Sequence, residues 1–263
     1  AKRAAVSTFK IVTYLAALEK GYGPQTVVFD DKRKLTTKHK PDNYDNRYAG
    51  KISLETCFVK SKNVCTIDIA DRLVGFELSD LASRLRITKE RMDGVNVVLG
   101  TVDTTLLRNT GAFSTIKNLG LYKSPTLIRF VLDKYGRSIP IKFNPAEQVI
   151  TPEVAQQMTG LLEQVVTPQG TANAALIPGR KTFGKTGTSD DYRDAWFIGW
   201  SEHQITTGVW LGPNEGEFMR GVSGGSIPAE IFKRFNKNMY ERYEFCTPDF
   251  KPRSSGFGRD LNC

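Results

Sequence analysis

Three segments near the C-terminal end constrain the fold most. "KTFGKTGT" (181–188), "DAWFIGWS" (194–201) and "QITTGVWLG" (204–212) are rich in aromatic, β-branched and glycine residues, and only "SDDYR" and the short "EH" turn join them. Connections this short leave no room for a crossover, so the spacing predicts an antiparallel meander. A sheet of this kind must bury one face. The segment from about Ile227 to Tyr243 supplies a cover, with Pro228 in its first helical turn and Ile231, Phe232, Phe235 and Met239 on one face.

The remainder reads mainly as helix. Ser7 stands at an N-cap or first-turn position, Phe9, Val12, Leu15, Ala16 and Leu18 recur at helical spacing, and Gly21 is a natural stop, so the first helix runs from about Ser7 to Lys20. A loop of charged residues, Asn, Asp and Pro extends to about Gly50. Then "SLETCFVK", "VCTIDIADRLV", "LSDLASRLRI" and "DTTLLRNTGAFSTIKNLG" make the stretch from about 50 to 125 an all-helical lobe. "PTLIRFVLD" and "SIPIKFN" flank "KYGR" as a hairpin, and "TPEVAQQMTGLLEQVV" is a helix with Thr151 as cap and Pro152 in its first turn. The expected class is α+β, a mainly antiparallel sheet covered by helices plus the helical lobe. One domain over 1–244 is followed by a loosely ordered tail, 245–263.

With 263 residues and 40% hydrophobic content the chain can bury a substantial core. Its 37 Lys and Arg against 28 Asp and Glu give a net charge of +9, yet the basic residues are scattered without a sustained run or interleaved aromatics. That pattern argues for a solvated basic surface and against nucleic acid. Cys57, Cys65, Cys246 and Cys263 form no C-x-x-C pair, and His39 and His203 lie in apparent loops, so neither a zinc site nor a Ser-His-Asp triad is expected. No metal and no cofactor is implied. Cys57 and Cys65 could pair in an oxidising compartment, but spacing alone leaves their state open. No apolar run reaches membrane-spanning length, and the first ten residues have no signal-peptide core.

A nucleophile here therefore needs a base other than histidine. Two Ser-x-x-Lys patterns occur, at Ser7–Lys10 and Ser114–Lys117. In the first, helical spacing sets the lysine amine over the serine hydroxyl, and a desolvated lysine, or one near other cations, can titrate low enough to act as a base. Its position at a helix start adds free N–H groups and a positive dipole end for developing negative charge. The second lies late in an amphipathic helix, where neither helps, and reads as a chance echo. "SKN" (61–63) is the only Ser-x-Asn, and "KTGT" (185–188) holds the only Lys-Thr-Gly, a tripeptide expected by chance roughly 0.06 times in such a chain.

Together and in this order, S-x-x-K, S-x-N and K-T-G match the motif set of penicillin-recognising serine enzymes. The chain resembles the transpeptidase domain of bifunctional, class A penicillin-binding proteins over about residues 3–240. "STFKIVTYLAALEKGY", "PDNYDNRYAGKISLET" before "KSKN", "GKTGTSDDYRDAWFIGW" and "TTGVWLG" followed by "GVSGGSIPAEIF" carry the likeness. The resemblance implies a β-lactamase/transpeptidase-like fold and a peptidoglycan D,D-transpeptidase inhibited by β-lactams. Ser7 would attack the D-alanyl-D-alanine carbonyl of a stem peptide and Lys10 would take its proton. Ser61 would relay a proton to the leaving amine, Asn63 would hold the substrate amide, and Lys185, Thr186, Gly187 and Thr188 would bind the substrate's terminal carboxylate and backbone. The N–H groups of Ser7 and Thr188 would form the oxyanion hole. Action outside the cytoplasmic membrane, within a longer membrane-anchored protein that also carries a glycosyltransferase domain, follows from the same resemblance. The strands that family members place before the nucleophile are absent from this sequence.

Two departures stand out. Ala4, Ala5 and Val6 replace the family's usual Gln-Pro-Gly, and Ile11 replaces the proline after the lysine; a valine does not readily take the torsions open to glycine, so an altered approach to the catalytic helix is expected. No Glu-x-x-Leu-Asn segment follows Ser61, and Asn63 stands where class D β-lactamases carry valine, so slow deacylation is expected rather than β-lactam hydrolysis. A D,D-carboxypeptidase differs only in using water as acceptor, and a non-catalytic penicillin-binding sensor is the other alternative.

Overall fold

The computed structural model describes residues 1–37, 40–73, 75–90, 95–128, 130–203, 205–213 and 217–242. In chain order its elements are β1 (Arg3–Ala4), a 3-10 turn (Val6–Phe9), α1 (Lys10–Glu19), β2 (Val27–Asp30), a short 3-10 turn (Lys32–Lys34), β3 (Gly50–Ser53), α2 (Leu54–Val59), α3 (Val64–Asp71) and α4 (Gly75–Arg84). After a 3-10 turn at Val95–Leu99 come β4 (Asp103–Thr104), α5 (Leu106–Lys117), β5 (Leu121–Tyr122), β6 (Val131–Leu132), β7 (Ser138–Ile139), β8 (Glu147–Gln148) and α6 (Pro152–Val165). A 3-10 turn at Asn173–Ala175 then leads to β9 (Thr182–Thr188), β10 (Ala195–Ser201), β11 (Thr207–Leu211) and α7 (Ile227–Arg242).

The meander forms as expected: β9, β10 and β11 are antiparallel in the order β11-β10-β9, with Ala195 opposite both Thr188 and Leu211. This leaves β9 at an edge of the sheet. Ser189 N–H donates to Asp194 O and Glu202 N–H donates to Lys181 O. The antiparallel alternation therefore turns the odd-numbered residues 185 and 187 toward β10, while the backbone N–H and C=O of Thr186 and Thr188 point off the free edge.

α1 is the hub. Every residue from Lys10 to Leu18 is buried, against α3, α4, α6 and the turn at Val95–Leu99. A helix apolar on nearly all faces belongs inside a fold rather than on its surface, and each such aliphatic side chain contributes about 1.5–3 kcal/mol on burial. The helix ends where Lys20 caps it and Gly21 takes φ +84°. Thr105 and Thr151 cap α5 and α6 through their hydroxyls, the latter with Pro152 in the first turn.

Two readings change, and two open alternatives close. The first helix starts with the 3-10 turn, and Ser7 sits inside that turn instead of capping it. The charged loop before Gly50 contains β2, which pairs with β3; two four-residue strands give too little alternation to stand out. On α7 the buried stripe is Ala229, Phe232 and Asn236, whereas Ile231 and Phe235 are exposed, because the face that meets the sheet follows the i, i+4 line through Phe232. Cys57 and Cys65 form a disulfide. The tail 245–263, with Cys246 and Cys263, and His39 lie outside the described residues. Among the described residues no helix is long and apolar enough to cross a membrane.

Candidate active site

The turn between α2 and α3 carries Ser61 and Asn63. α2 ends in a Schellman arrangement: Ser61 N–H donates to Phe58 O at 2.9 Å, and Lys62 N–H donates to Cys57 O at 3.0 Å. Ser61 therefore occupies the left-handed position usually given to glycine, at φ +53°. Asn63 heads α3 but does not cap it. Asn43 does so from the β2–β3 connection, its Oδ1 accepting from Asn63 N–H at 2.8 Å and Val64 N–H at 3.1 Å. Asp30 holds Asn43 Nδ2 at 2.7 Å, and both residues are buried. The Asn63 side chain is thereby released from capping, with its Nδ2 on Asp42 O at 2.8 Å.

Two buried lysines converge on this turn. Lys10, in the first turn of α1, directs Nζ to Ser61 O at 2.7 Å, Asn63 Oδ1 at 2.7 Å, Lys62 O at 3.3 Å and Ser61 Oγ at 3.5 Å. Lys185, on β9, directs Nζ to Ser61 Oγ at 2.7 Å and Thr186 O at 3.1 Å. Burial pushes the Lys10 amine well below its usual range; the nearby Lys185 charge adds to the fall, and Asp190 opposes it. Burial alone lowers Lys185 to about 7. Two cations so close in a desolvated site disfavour joint protonation, so one neutral amine is available near neutral pH.

Ser7 opens onto a cleft of about 260 Å³, whose walls include Ser61, Asn63, Thr186 and Thr188. The structure thus gathers Ser7, Lys10, Ser61, Asn63, Lys185, Thr186 and Thr188 at one place. No hydrogen bond joins Ser7 to Lys10 among the described residues; such contacts commonly tighten only with substrate bound. The Ser7 N–H belongs to the first turn of a helix, whose amides lack an internal acceptor. Gly187 brings β9 against that turn: a Cβ there would meet Val6 Cγ2 at 2.7 Å and Thr8 N at 3.3 Å.

Val6 is where the chain parts from expectation. It adopts φ +42°, a torsion natural to glycine and unfavourable for a β-branched residue by about 1–2 kcal/mol. Neighbours hold it there. Its N–H donates to Gly100 O at 2.8 Å, Ala5 N–H donates to Val102 O at 2.9 Å, and Asn109 Nδ2 donates to the buried Thr8 hydroxyl at 2.8 Å.

Several lining residues stand outside the three short motifs: Tyr44, Lys60, Thr171, Asp190, Ser223 and Gly225. The Tyr44 and Tyr192 hydroxyls meet at 2.9 Å, and Thr171 Oγ1 meets Thr186 Oγ1 at 2.9 Å. The second Ser-x-x-Lys pair, Ser114 and Lys117, lies on α5 and does not line the cleft. Among the described residues no group of three or more His, Cys, Asp or Glu side chains is gathered to hold a metal.

The family model described as penicillin binding protein transpeptidase domain matches residues 2–237. The chain belongs to the penicillin-binding protein transpeptidase family. It is 30% identical to penicillin-binding protein 1A of Aquifex aeolicus over 92% of this chain and 34% of the relative, and 34% identical to penicillin-binding protein 1A of Neisseria meningitidis over 86% of this chain and 30% of the relative. These relatives align it with the class A members, and it spans about a third of their length. The fold resembles that of penicillin-binding protein PonA1 from Mycobacterium tuberculosis, with a TM-score of 0.81 at 22% identity over 94% of this chain and 71% of that one. It also resembles an imipenem acyl-enzyme complex of penicillin-binding protein A from M. tuberculosis, with a TM-score of 0.77 at 21% identity over 90% and 60% of the two chains. This transpeptidase domain therefore has the α+β, β-lactamase-like fold.

Proposed function

We propose that this transpeptidase domain cross-links peptidoglycan stem peptides through an acyl-enzyme on Ser7, and that β-lactams acylate the same hydroxyl. The observation that carries the reading is the convergence of Lys10 and Lys185 on Ser61 Oγ, beside a cleft onto which Ser7 opens. A neutral Lys10 amine spends two N–H bonds on Ser61 O and Asn63 Oδ1 and keeps its lone pair for the Ser7 proton. Ser7 Oγ attacks the carbonyl between the terminal D-alanines, and the oxyanion is met by the N–H groups of Ser7 and Thr188, each such donor contributing about 3 kcal/mol.

The substrate lies along the free edge of β9, where the Thr186 N–H and the Thr188 N–H and C=O face outward and Gly187 leaves the turn at Ser7 close to the strand. Lys185, with Thr186 and Thr188, attracts the terminal carboxylate. As the tetrahedral intermediate collapses, Ser61 relays to the departing amine of D-alanine the proton that Lys10 took from Ser7, and Lys185 keeps its charge for the carboxylate. The amine of a second stem peptide then attacks the ester, Ser7 recovers its proton, and a cross-link forms. The buried disulfide supports a compartment outside the cytoplasm, where thiols are oxidised.

The test combines a peptide ending in D-alanyl-D-alanine with an amine acceptor, monitoring D-alanine release and the coupled product by mass spectrometry. Coupled product from the parent and none from Ser7→Ala is the expected result. Free acid as the sole product would assign a carboxypeptidase, and no turnover despite penicillin labelling a sensor.

A further inference from the structure

We propose that the Cys57–Cys65 disulfide is a positioning device for acylation: it locks the turn that presents Ser61 and Asn63 to the two buried lysines. The inference rests on the site assigned above and goes beyond it, because neither cysteine touches the cleft. Cys57 lies in the last turn of α2 and Cys65 in the first turn of α3; they are eight residues apart, with Cα atoms 6.1 Å apart and no solvent exposure. The ring they close contains Ser61, Lys62 and Asn63, which supply all three of Lys10's hydrogen-bonding residues and the hydroxyl that Lys185 meets.

The turn needs such a clamp. Ser61 holds a left-handed torsion without glycine's freedom, and Asn63 cannot cap its own helix while its side chain serves Lys10. Left open, the turn gains by relaxing Ser61 and recapturing Asn63 as a cap, and both moves withdraw acceptors from Lys10. The disulfide ties together the residue whose carbonyl closes the Schellman turn, Cys57, and the second helical residue of α3, Cys65. Closing it removes two electrons and two protons from the thiols by exchange with a disulfide oxidant, which leaves as a dithiol.

Stopped-flow acylation by a fluorescent penicillin separates non-covalent binding from the first-order acylation step in the parent and in Cys57→Ala/Cys65→Ala. The variant is expected to keep its far-UV CD spectrum and its non-covalent constant within about threefold while acylation falls about tenfold or more. Its ascending pH limb should move upward, because a hydrated Lys10 regains a higher pKa; Lys185 and Asp190, the charged groups facing Lys10, are unchanged in the variant. Parent reduced with a phosphine should match the variant and recover on reoxidation.

Equal acylation rates and pH profiles with and without the bond would overturn the proposal. So would loss of fold in both reduced forms, since the bond would then staple the whole domain rather than the turn. A parent that shows no Ser7-dependent label fails at the site assignment, and the inference falls with it.

Discussion

Lys185 Nζ donates to Ser61 Oγ at 2.7 Å across 124 residues of sequence. This bond joins the sheet to the α2–α3 turn through a fully buried amine. Its chemistry conflicts with stability. Lys185 titrates at about 7 in the folded chain against 10.5 unfolded, because burial disfavours the charged form. Between those values the unfolded chain holds the proton and the folded chain does not, so this group adds stability as pH rises through that window.

Lys185→Met should therefore raise Tm by a few degrees at pH 7, and the gap over the parent should shrink as pH approaches 10. Acylation by penicillin should fall about a hundredfold or more in the same variant. Parallel thermal melts from pH 7 to 10 and labelling kinetics check both. A constant Tm gap across that range would contradict the assigned ionisation.

Asn43 does not line the cleft, yet it accepts from both Asn63 N–H and Val64 N–H. Asn43→Ala should cost about 1–2 kcal/mol in urea unfolding, the ordinary loss of a helix cap. Acylation should slow as well, since Asn63 is then drawn back to cap α3. Asn43→Asp keeps an acceptor for the two amides but replaces the donor to the buried Asp30 with a second carboxylate, so it should not recover the rate.

Gly187 faces Val6 Cγ2 at 2.7 Å and Thr8 Cγ2 at 3.1 Å from where its Cβ would stand. Gly187→Ala should lose about 1–3 kcal/mol by overpacking. Val6→Ala removes the nearer methyl, so Gly187→Ala should cost less in that background, with a coupling of about 1 kcal/mol. Chemical denaturation of the four proteins measures the coupling; additive losses would mean that the turn moves aside.

The parts legible in the sequence are those carried by local signals. The meander follows from three β-prone segments with short joints, and α6 from Thr151, Pro152 and a 14-residue amphipathic run. The lysines and serines of the site are visible because Ser-x-x-Lys, Ser-x-Asn and the rare Lys-Thr-Gly occur in one order. What escaped is tertiary. Asn43, Tyr44 and Thr171 matter through partners at a distance in sequence, and no local period marks them. The torsion at Val6 is imposed by Gly100, Val102 and β9, against the residue's own preference. The disulfide depends on how α2 and α3 approach each other, which spacing does not determine.

Peptide mapping after β-lactam treatment tests the central claim most directly. Trypsin should release Ala4–Lys10, "AAVSTFK", and benzylpenicillin should add its full mass to Ser7 in that peptide, stoichiometrically and with slow loss. Ser7→Ala should remain unmodified. An adduct on the peptides holding Ser61 or Ser114, or one that persists in Ser7→Ala, would contradict the account.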